Sequence, residues 1–125
     1  MRADPAPGAI SRGQWAEAVA RDFLQSKGLK LLASNYRCRH GELDLIMRDR
    51  TTIVFVEVRY RRSDGFGSAA ESVTSNKQRR LIATARHYLQ HTGPKEDPAC
   101  RFDVLAIGEN AGVPAVDWIK DAFDA

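Results

Sequence analysis

Residues 41–62, with the sequence GELDLIMRDRTTIVFVEVRYRR, constrain the fold more than any other part of the chain. They predict two short strands joined by a tight turn, and the second strand is apolar on both faces from Ile53 to Val56. A strand of this kind usually lies in the centre of a sheet. Because it continues into Glu57, it places a carboxylate beside the core, where an unpaired charge costs free energy. We interpret this conflict between local rules as the sign of a functional site.

Alternation of side chains along the two strands indicates which charged groups share a face. Glu42 and Asp44 share a face of the first strand. Glu57 and Arg59 share a face of the second. If residues 50–51 form the turn, Asp44 lies opposite Glu57, with Cβ atoms about 5 Å apart. Glu42 then lies opposite Arg59. Two facing carboxylates repel each other unless one is protonated or a cation lies between them.

Two interpretations fit these four charged groups. In the first, Asp44 and Glu57 hold a divalent cation such as Mg²⁺, which activates a water for attack on phosphorus. Arg59 would then offset charge in the transition state, although its guanidinium stays protonated and cannot act as a general base. In the second, Arg59 simply forms a cross-strand ion pair with Glu57 or with Glu42, and the site is structural.

The rest of the chain predicts an α/β protein with the element order αβββαβ and a further strand at the end. Ser11 is a suitable cap for a first helix that ends near Gly28, and Glu17 borders the apolar stripe of this helix. Thr74 or Ser75 would cap a second helix, the more basic of the two. The remaining strands are predicted at residues 29–36, 101–107 and 115–119. Three consecutive strands, then a helix and a strand, indicate a central mixed sheet flanked by helices.

The net charge of +3 is unevenly distributed along the chain. Residues 27–91 carry 13 Lys and Arg against 6 Asp and Glu, whereas residues 96–125 carry 2 against 7. The chain has 14 Arg and 5 Lys, and guanidinium groups match the geometry of phosphate oxygens. The pattern predicts a basic face that binds nucleic acid, although an ordinary solvated surface would show the same charges.

Composition also indicates the compartment and the domain organisation. Residues 1–10 are expected to form a flexible lead-in, and residues 11–125 a single domain. We find neither the apolar run of a signal peptide nor the roughly 18 apolar residues of a membrane span, so we expect a cytoplasmic protein without membrane association. Cys38 and Cys100 are then expected to be free thiols. Cys38 and His40 lack a second ligand pair at a spacing typical of zinc sites.

Several motifs in combination resemble the YraN family, bacterial proteins similar to Holliday-junction resolvases within the PD-(D/E)xK nuclease superfamily. Residues 41–46 and 54–59 resemble the Asp…Glu-x-Lys core of that superfamily. The likeness extends from Ser11 to Phe123. Further matching positions are Asn35-Tyr36-Arg37, Phe66-Gly67, Lys77, Arg79-Arg80 and Arg101-Phe102-Asp103-Val104.

The resemblance implies a restriction-endonuclease-like α/β fold with a central mixed β-sheet. It also implies metal-dependent hydrolysis of phosphodiester bonds in DNA, including branched DNA, with Mg²⁺ or Mn²⁺ as cofactor. By motif position, Asp44 and Glu57 would bind the metal, together with Glu17 from the first helix. These three residues and Arg59 would be the catalytic set. The accessory residues would be Glu42 and Lys77.

The resemblance further implies that DNA is the partner. Arginines would grip its phosphates with little sequence preference, because phosphate contacts carry no base information. The predicted phosphate-binding residues are Arg37, Arg39, Arg61, Arg62, Arg79 and Arg80. A homodimer is expected for an enzyme that cuts a four-way junction, since two symmetric cuts need two sites. Trp118 and Phe123 are candidates for apolar contacts between subunits, or for ordinary core residues.

One departure from the superfamily pattern concerns the lysine position, which holds Arg59. That lysine positions or activates the attacking water and offsets charge, and arginine is suited only to the second task. Either the metal activates the water alone, or another cation such as Lys77 serves, or catalysis has been lost. The last alternative leaves a DNA-binding module on the nuclease fold. A third class of function is a small interaction protein whose acidic C-terminal part binds a basic partner.

Overall fold

The computed structural model describes residues 11–61, 72–94 and 96–125. The described chain forms one five-stranded sheet in the order β1-β2-β3-β4-β5, with a helix on each face. The β3–β4 pair is parallel and the other neighbouring pairs are antiparallel. The predicted α/β class and element order are confirmed, whereas the predicted lead-in lies outside the described residues. The elements are α1 (Arg12–Ser26), β1 (Lys30–Cys38), β2 (Gly41–Asp49), β3 (Thr52–Tyr60), α2 (Ser75–His91), β4 (Cys100–Asn110) and β5 (Val113–Phe123).

Local sequence sets the ends of both helices. Ser11 caps α1 by accepting the Gln14 N–H at 3.0 Å, while the Gln14 side chain accepts the Ser11 N–H at 3.0 Å. After α1, Gly28 has a φ of +94°, the left-handed conformation that glycine adopts without strain. Thr74 caps α2 by accepting the Lys77 N–H at 3.2 Å. The predicted caps at Ser11 and Thr74 are therefore confirmed.

The central strand β3 contributes to two separate cores. Ile53 and Phe55 pack on the side covered by α2, and Val54 and Val56 pack on the side covered by α1. The four side chains are at most 4% exposed. This burial on both faces is what the apolar run predicted for a central strand. Within the described ranges, neither helix combines the length and apolar character needed to cross a membrane.

The β2–β3 hairpin has the predicted register. Its ladder runs from Asp49–Thr52 to Leu45–Val56, so residues 50–51 form the turn. Arg50 has a φ of +57° there, a conformation expected in a two-residue hairpin turn. The register places Asp44 and Glu57 at the next position beyond the last ladder pair.

The regular alternation predicted along β2 is interrupted at Asp44. Leu43 and Ile46 pack in the same core on the α2 side, although they are three positions apart. In β1, Asn35 lies between two pairs of the β1–β2 ladder and has a left-handed φ of +53°, which Asn tolerates better than most residues. The Asp44 carboxylate accepts the N–H of Val58 at 2.8 Å, where regular strand pairing would continue. The regular alternation of β2 therefore ends near Asp44, and Glu42 lies close enough to Asp44 to add to the effect of burial, which raises the pKa of Asp44.

The last strand is longer than the predicted residues 115–119. It pairs with β4 from Asn110–Val113 to Phe102–Phe123, across a register shift between Phe102 and Val104. The shift surrounds Asp103, a fully buried carboxylate. Asp103 accepts the Trp118 indole N–H at 2.9 Å and the Asp121 N–H at 2.9 Å, and it pairs with Arg101 at 3.0 Å. This network ties the far end of β5 to the sheet.

The two aromatic residues considered for subunit contacts pack inside their own chain. The Trp118 ring meets the Phe23 ring of α1 edge to face, with centroids 5.8 Å apart. The Phe123 ring stacks on Phe102, with centroids 4.8 Å apart. Both therefore act as ordinary core residues in this structure.

We predict that Asp103→Ala lowers the free energy of unfolding by about 3 to 5 kcal/mol, because the Trp118 and Asp121 N–H donors lose their acceptor and Arg101 keeps Asp49 as a partner but loses Asp103. Urea denaturation at neutral pH measures the change. Asp117→Ala is the matched control, since this β5 carboxylate is exposed. Equal losses in the two variants would contradict a structural role for the buried network.

Candidate functional site

Asp44 and Glu57 form a facing pair of carboxyl groups where the β2–β3 ladder ends. Glu57 is 5% exposed, and the two side chains share a hydrogen bond. Burial is the largest effect on both groups and raises the pKa of Asp44. Burial and the facing Asp44 carboxylate together raise the pKa of Glu57 to about 7. Both shifts favour the protonated acids, as expected when like charges meet in a dry site.

Two cations lie beside Glu57 and only partly offset its burial. The Nη1 atom of Arg59 and the Nζ atom of Lys77 are each 3.5 Å from Oε2 of Glu57. Both cations act to lower the pKa of Glu57, yet burial and Asp44 outweigh them because the pKa remains raised. The ion pair required by the structural interpretation is present, but it does not satisfy the charge of the two acids.

Glu17 and Glu42 form a second acidic group, joined by Asn35. With its nitrogen facing the acids, the Asn35 amide donates to Oε1 of Glu17 and to Oε1 of Glu42, each at 3.0 Å. Burial raises the pKa of Glu17, and the charges of Asp44 and Glu42 raise it further. Glu42 also pairs with Arg37 at 3.4 Å, in place of the partner Arg59 that the register suggested.

Asn35 is the site residue that reasoning from residue chemistry missed. It entered the sequence argument only as part of the resemblance to the YraN family. The sequence feature that could have identified it is an Asn within a predicted strand. Asn tolerates the left-handed backbone better than most residues, and its side chain carries an amide donor. Only the structure shows that its amide joins an acid of α1 to an acid of β2.

The donor set of the facing pair fits the metal that the resemblance implies. Mg²⁺ prefers oxygen ligands and keeps several waters, so one or two carboxylates suffice to hold it. Asp44 and Glu57 offer such oxygens, and a divalent cation would offset the repulsion between them. Across residues 11–61, 72–94 and 96–125, no three His, Cys, Asp or Glu side chains are grouped closely enough to hold a metal. Glu17 is a neighbour of Asp44, and its role as a third ligand stays a prediction.

A basic cleft of about 550 Å³ adjoins the acids, between the β1–β2 hairpin and the first turns of α2. It contains three cationic side chains and one carboxylate. Gly41 lets the hairpin approach the helix, because a Cβ there would lie 3.3 Å from Oγ1 of Thr84. The lining residues are Arg37, Cys38, Gly41, Glu42, Lys77, Arg80 and Leu81.

Two of the predicted phosphate-binding arginines line the basic cleft, and the other described ones lie elsewhere. Arg37 and Arg80 line the cleft. Arg79 is exposed on the first turns of α2 and donates to Asn76. Arg39 is exposed and lies near His87. Desolvation lowers the pKa of His87 most, and the charge of Arg39 lowers it further. Arg61 continues the sheet, donating its N–H to the Ile107 carbonyl at 2.8 Å, and Arg62 lies outside the described residues.

We predict that the metal-free protein loses stability as the pH rises from 4.5 towards 7. The pKa of Glu57 is raised from 4.5 to about 7 in the folded state, so folding favours the protonated acid. Its contribution is complete below 4.5 and lost as the pH rises through the folded value. The loss is on the order of 1 to 3 kcal/mol.

Urea unfolding over this pH range in EDTA measures the slope. Glu57→Gln is expected to make the decline shallower, because the amide does not titrate. Glu96→Gln, a change at an exposed position, is the control and should leave the slope unchanged. A decline of full size in Glu57→Gln would show that another group is responsible.

Comparison with known proteins gives matches along most of the chain. The model of the uncharacterised protein family UPF0102 matches residues 16–107, a range that includes the acids, Asn35, Arg59 and Lys77. A UPF0102 protein of Nitrosococcus oceani is 52% identical over 112 residues, covering 90% of each chain. A UPF0102 protein of Nitrosomonas europaea is 54% identical over 114 residues, covering 91% of this chain and 94% of its own. The chain therefore belongs to the UPF0102 family, which is the YraN family that its motifs resemble.

Proposed function

We propose that this protein is a metal-dependent endonuclease that hydrolyses phosphodiester bonds in DNA, including branched DNA. The observation that carries the proposal is the buried Asp44–Glu57 pair at the edge of a basic cleft. Two facing buried acids repel each other, and burial and the Asp44 charge together raise the pKa of Glu57, so the pair carries a cost for the fold. Acids with raised pKa values in a cleft are typical of functional sites.

Each side chain of the site has a role in this proposal. Asp44 and Glu57 would hold Mg²⁺ or Mn²⁺, and the Val58 N–H fixes the Asp44 carboxylate. When bound, the metal supplies a water of lowered pKa and offsets charge on the phosphate. Arg59 and Lys77 hold the Glu57 carboxylate from one side, through Oε2. Glu17 would join the ligands from α1.

The basic cleft supports DNA as the substrate. Arg37, Lys77 and Arg80 present cations along one lining, next to the acids. Guanidinium and ammonium groups bind phosphate oxygens without reading the bases, so little sequence preference is expected. We further propose that the protein acts in the cytoplasm, and as a homodimer on a four-way junction, because two symmetric cuts need two sites.

A non-catalytic DNA-binding module on the same fold is the second candidate. The observation that favours it is Arg59 at the lysine position of the superfamily motif. Arg59 donates to Oγ of Ser72 at 3.1 Å and to the Ser72 carbonyl at 2.7 Å, so its directed donors hold the chain rather than a water. In this alternative the cleft binds phosphates and the acids do not support hydrolysis.

We predict that the purified protein cleaves a four-way DNA junction in the presence of Mg²⁺ or Mn²⁺. Removing the carboxylate with Glu57→Ala should lower the cleavage rate about 100-fold or more, because one of the two groups proposed to hold the charge-stabilising metal is lost. Glu96→Ala serves as the control at an exposed position. Linear duplex and single-stranded DNA, tested in parallel, establish the preferred substrate.

Two outcomes of this assay would contradict the endonuclease proposal. Cleavage that persists at the wild-type rate in Glu57→Ala would identify a contaminating nuclease. Salt-sensitive binding of the junction without cleavage under either metal would favour the binding module.

We also predict that Arg37→Ala and Arg80→Ala weaken DNA binding similarly for unrelated sequences. Each lost phosphate contact should reduce the slope of log K against log salt concentration by about 0.9 on duplex DNA. Titrations at several salt concentrations, monitored by fluorescence anisotropy, measure this slope. Arg48→Ala is the matched control, since Arg48 is exposed near the opposite end of β2. An unchanged slope in both cleft variants would exclude the cleft as the DNA-binding surface.

A further inference from the structure

Two cations pair with Glu57, and they differ in what else they contact. Lys77 lines the basic cleft, whereas Arg59 is absent from its lining. The Nζ atom of Lys77 lies 3.5 Å from Oε2 of Glu57, and its side chain is 33% exposed. An ammonium in this position faces both the acids and any phosphate that enters the cleft. Lys77 therefore connects the acidic pair with the surface proposed to bind DNA.

The backbone of Lys77 is held firmly. Lys77 is the third residue of α2, and its N–H donates to the capping hydroxyl of Thr74 at 3.2 Å. Its neighbour Gln78 donates from its side chain to the Val73 carbonyl at 3.0 Å, and Val73 is buried. A side chain that projects from a capped first turn starts from a fixed Cα position, which suits a group that must meet a reacting phosphate.

Arg59 secures this same turn from β3. Its Nε atom donates to Oγ of Ser72 and its Nη2 atom to the Ser72 carbonyl, at 3.1 and 2.7 Å. Ser72 comes directly before Val73 and the cap Thr74. The planar guanidinium makes these two contacts and the ion pair with Glu57 from three different nitrogens, Nε, Nη2 and Nη1, whereas a lysine would have to make them all from one.

We propose that Lys77 is the catalytic cation that contacts the phosphate of the substrate, and that Arg59 is a positioning residue that acts through the start of α2. This inference rests on the proposed function. It explains why position 59 holds an arginine. The cation that contacts the substrate comes from α2, so position 59 instead needs a guanidinium that can contact both Ser72 and Glu57. Lys77 has the compact, mobile charge that suits contact with a phosphate.

The phosphate contact is tested without requiring cleavage. The protein is acylated with an N-hydroxysuccinimide ester in EDTA, with and without a four-way DNA junction, and each lysine is quantified by mass spectrometry. The junction is expected to reduce the acylation of Lys77 severalfold. Lys120, whose Nζ atom lies 4.4 Å from the centre of the Trp118 ring on β5, should be unaffected. Equal acylation of Lys77 in both samples would overturn the proposal, whether or not the protein cuts DNA.

Cleavage by variants separates the roles of the two cations. Lys77→Met is expected to reduce the cleavage rate about 100-fold with little change in Tm, because it removes a charge that stabilises the transition state. Lys77→Arg should restore part of the rate. Arg59→Lys, which recreates the superfamily lysine, should reduce the rate because the contacts to Ser72 are lost. Arg59→Met should also weaken the protection of Lys77 by DNA, which a role in stability alone would not do.

Different results would contradict the assignment of Lys77 and the endonuclease proposal. Wild-type cleavage by Lys77→Met, or a rate for Arg59→Lys at or above that of the wild type, would overturn the assignment of Lys77. If the wild-type protein cuts no DNA under either metal, the endonuclease proposal fails and the assignment of Lys77 as a catalytic cation fails with it. The acylation experiment then still decides whether Lys77 contacts phosphate.

Discussion

The buried charge of Glu57 is the constraint on which the rest of the site depends. Taking a carboxylate out of water costs several kcal/mol, and a central strand offers no water to offset that cost. Two cations at 3.5 Å act against this cost, whereas the facing Asp44 carboxylate adds to it and favours protonated Glu57. These partners do not return the pKa of Glu57 to its ordinary value. The two acids therefore remain incompletely balanced by the cations beside them, and this imbalance is the basis on which we propose that they bind a metal ion.

The two faces of the sheet supply different parts of the site. α2 delivers Lys77 on the face of Phe55, and α1 brings Glu17 towards Asp44 from the opposite side. They meet where Asn35 and Asp44 depart from regular strand pairing. At this point Glu17 of α1 lies close enough to Asp44 for that charge to raise its pKa beyond the effect of burial, while Lys77 of α2 pairs with Glu57.

Sequence reasoning succeeded where short-range rules decide the outcome. The caps at Ser11 and Thr74, the turn at residues 50–51 and the position of Asp44 beside Glu57 follow from residue type and alternation. It failed where contacts between neighbouring strands override a periodic pattern. Glu42 pairs with Arg37, its partner across the β1–β2 ladder, and the buried network around Asp103 extends β5 beyond the predicted residues 115–119. The proximity of Lys77 to Glu57 depends on how α2 is rotated against the sheet, which only tertiary packing fixes.

Because Gly41 has no side chain, the β1–β2 hairpin can lie close to α2, and this contact limits the width of the basic cleft. The hairpin rests against α2 with Thr84 Oγ1 3.3 Å and Arg80 Cβ 3.7 Å from where a side chain at position 41 would begin. Thr84 is fully buried and donates to the Arg80 carbonyl at 2.7 Å, so it has no room to retreat. The side chains at positions 41 and 84 therefore compete for the same space between the hairpin and the helix. A larger side chain at either position would push the hairpin from the helix and move Arg37 away from Arg80, which would widen the spacing of the two cations that we propose bind phosphate.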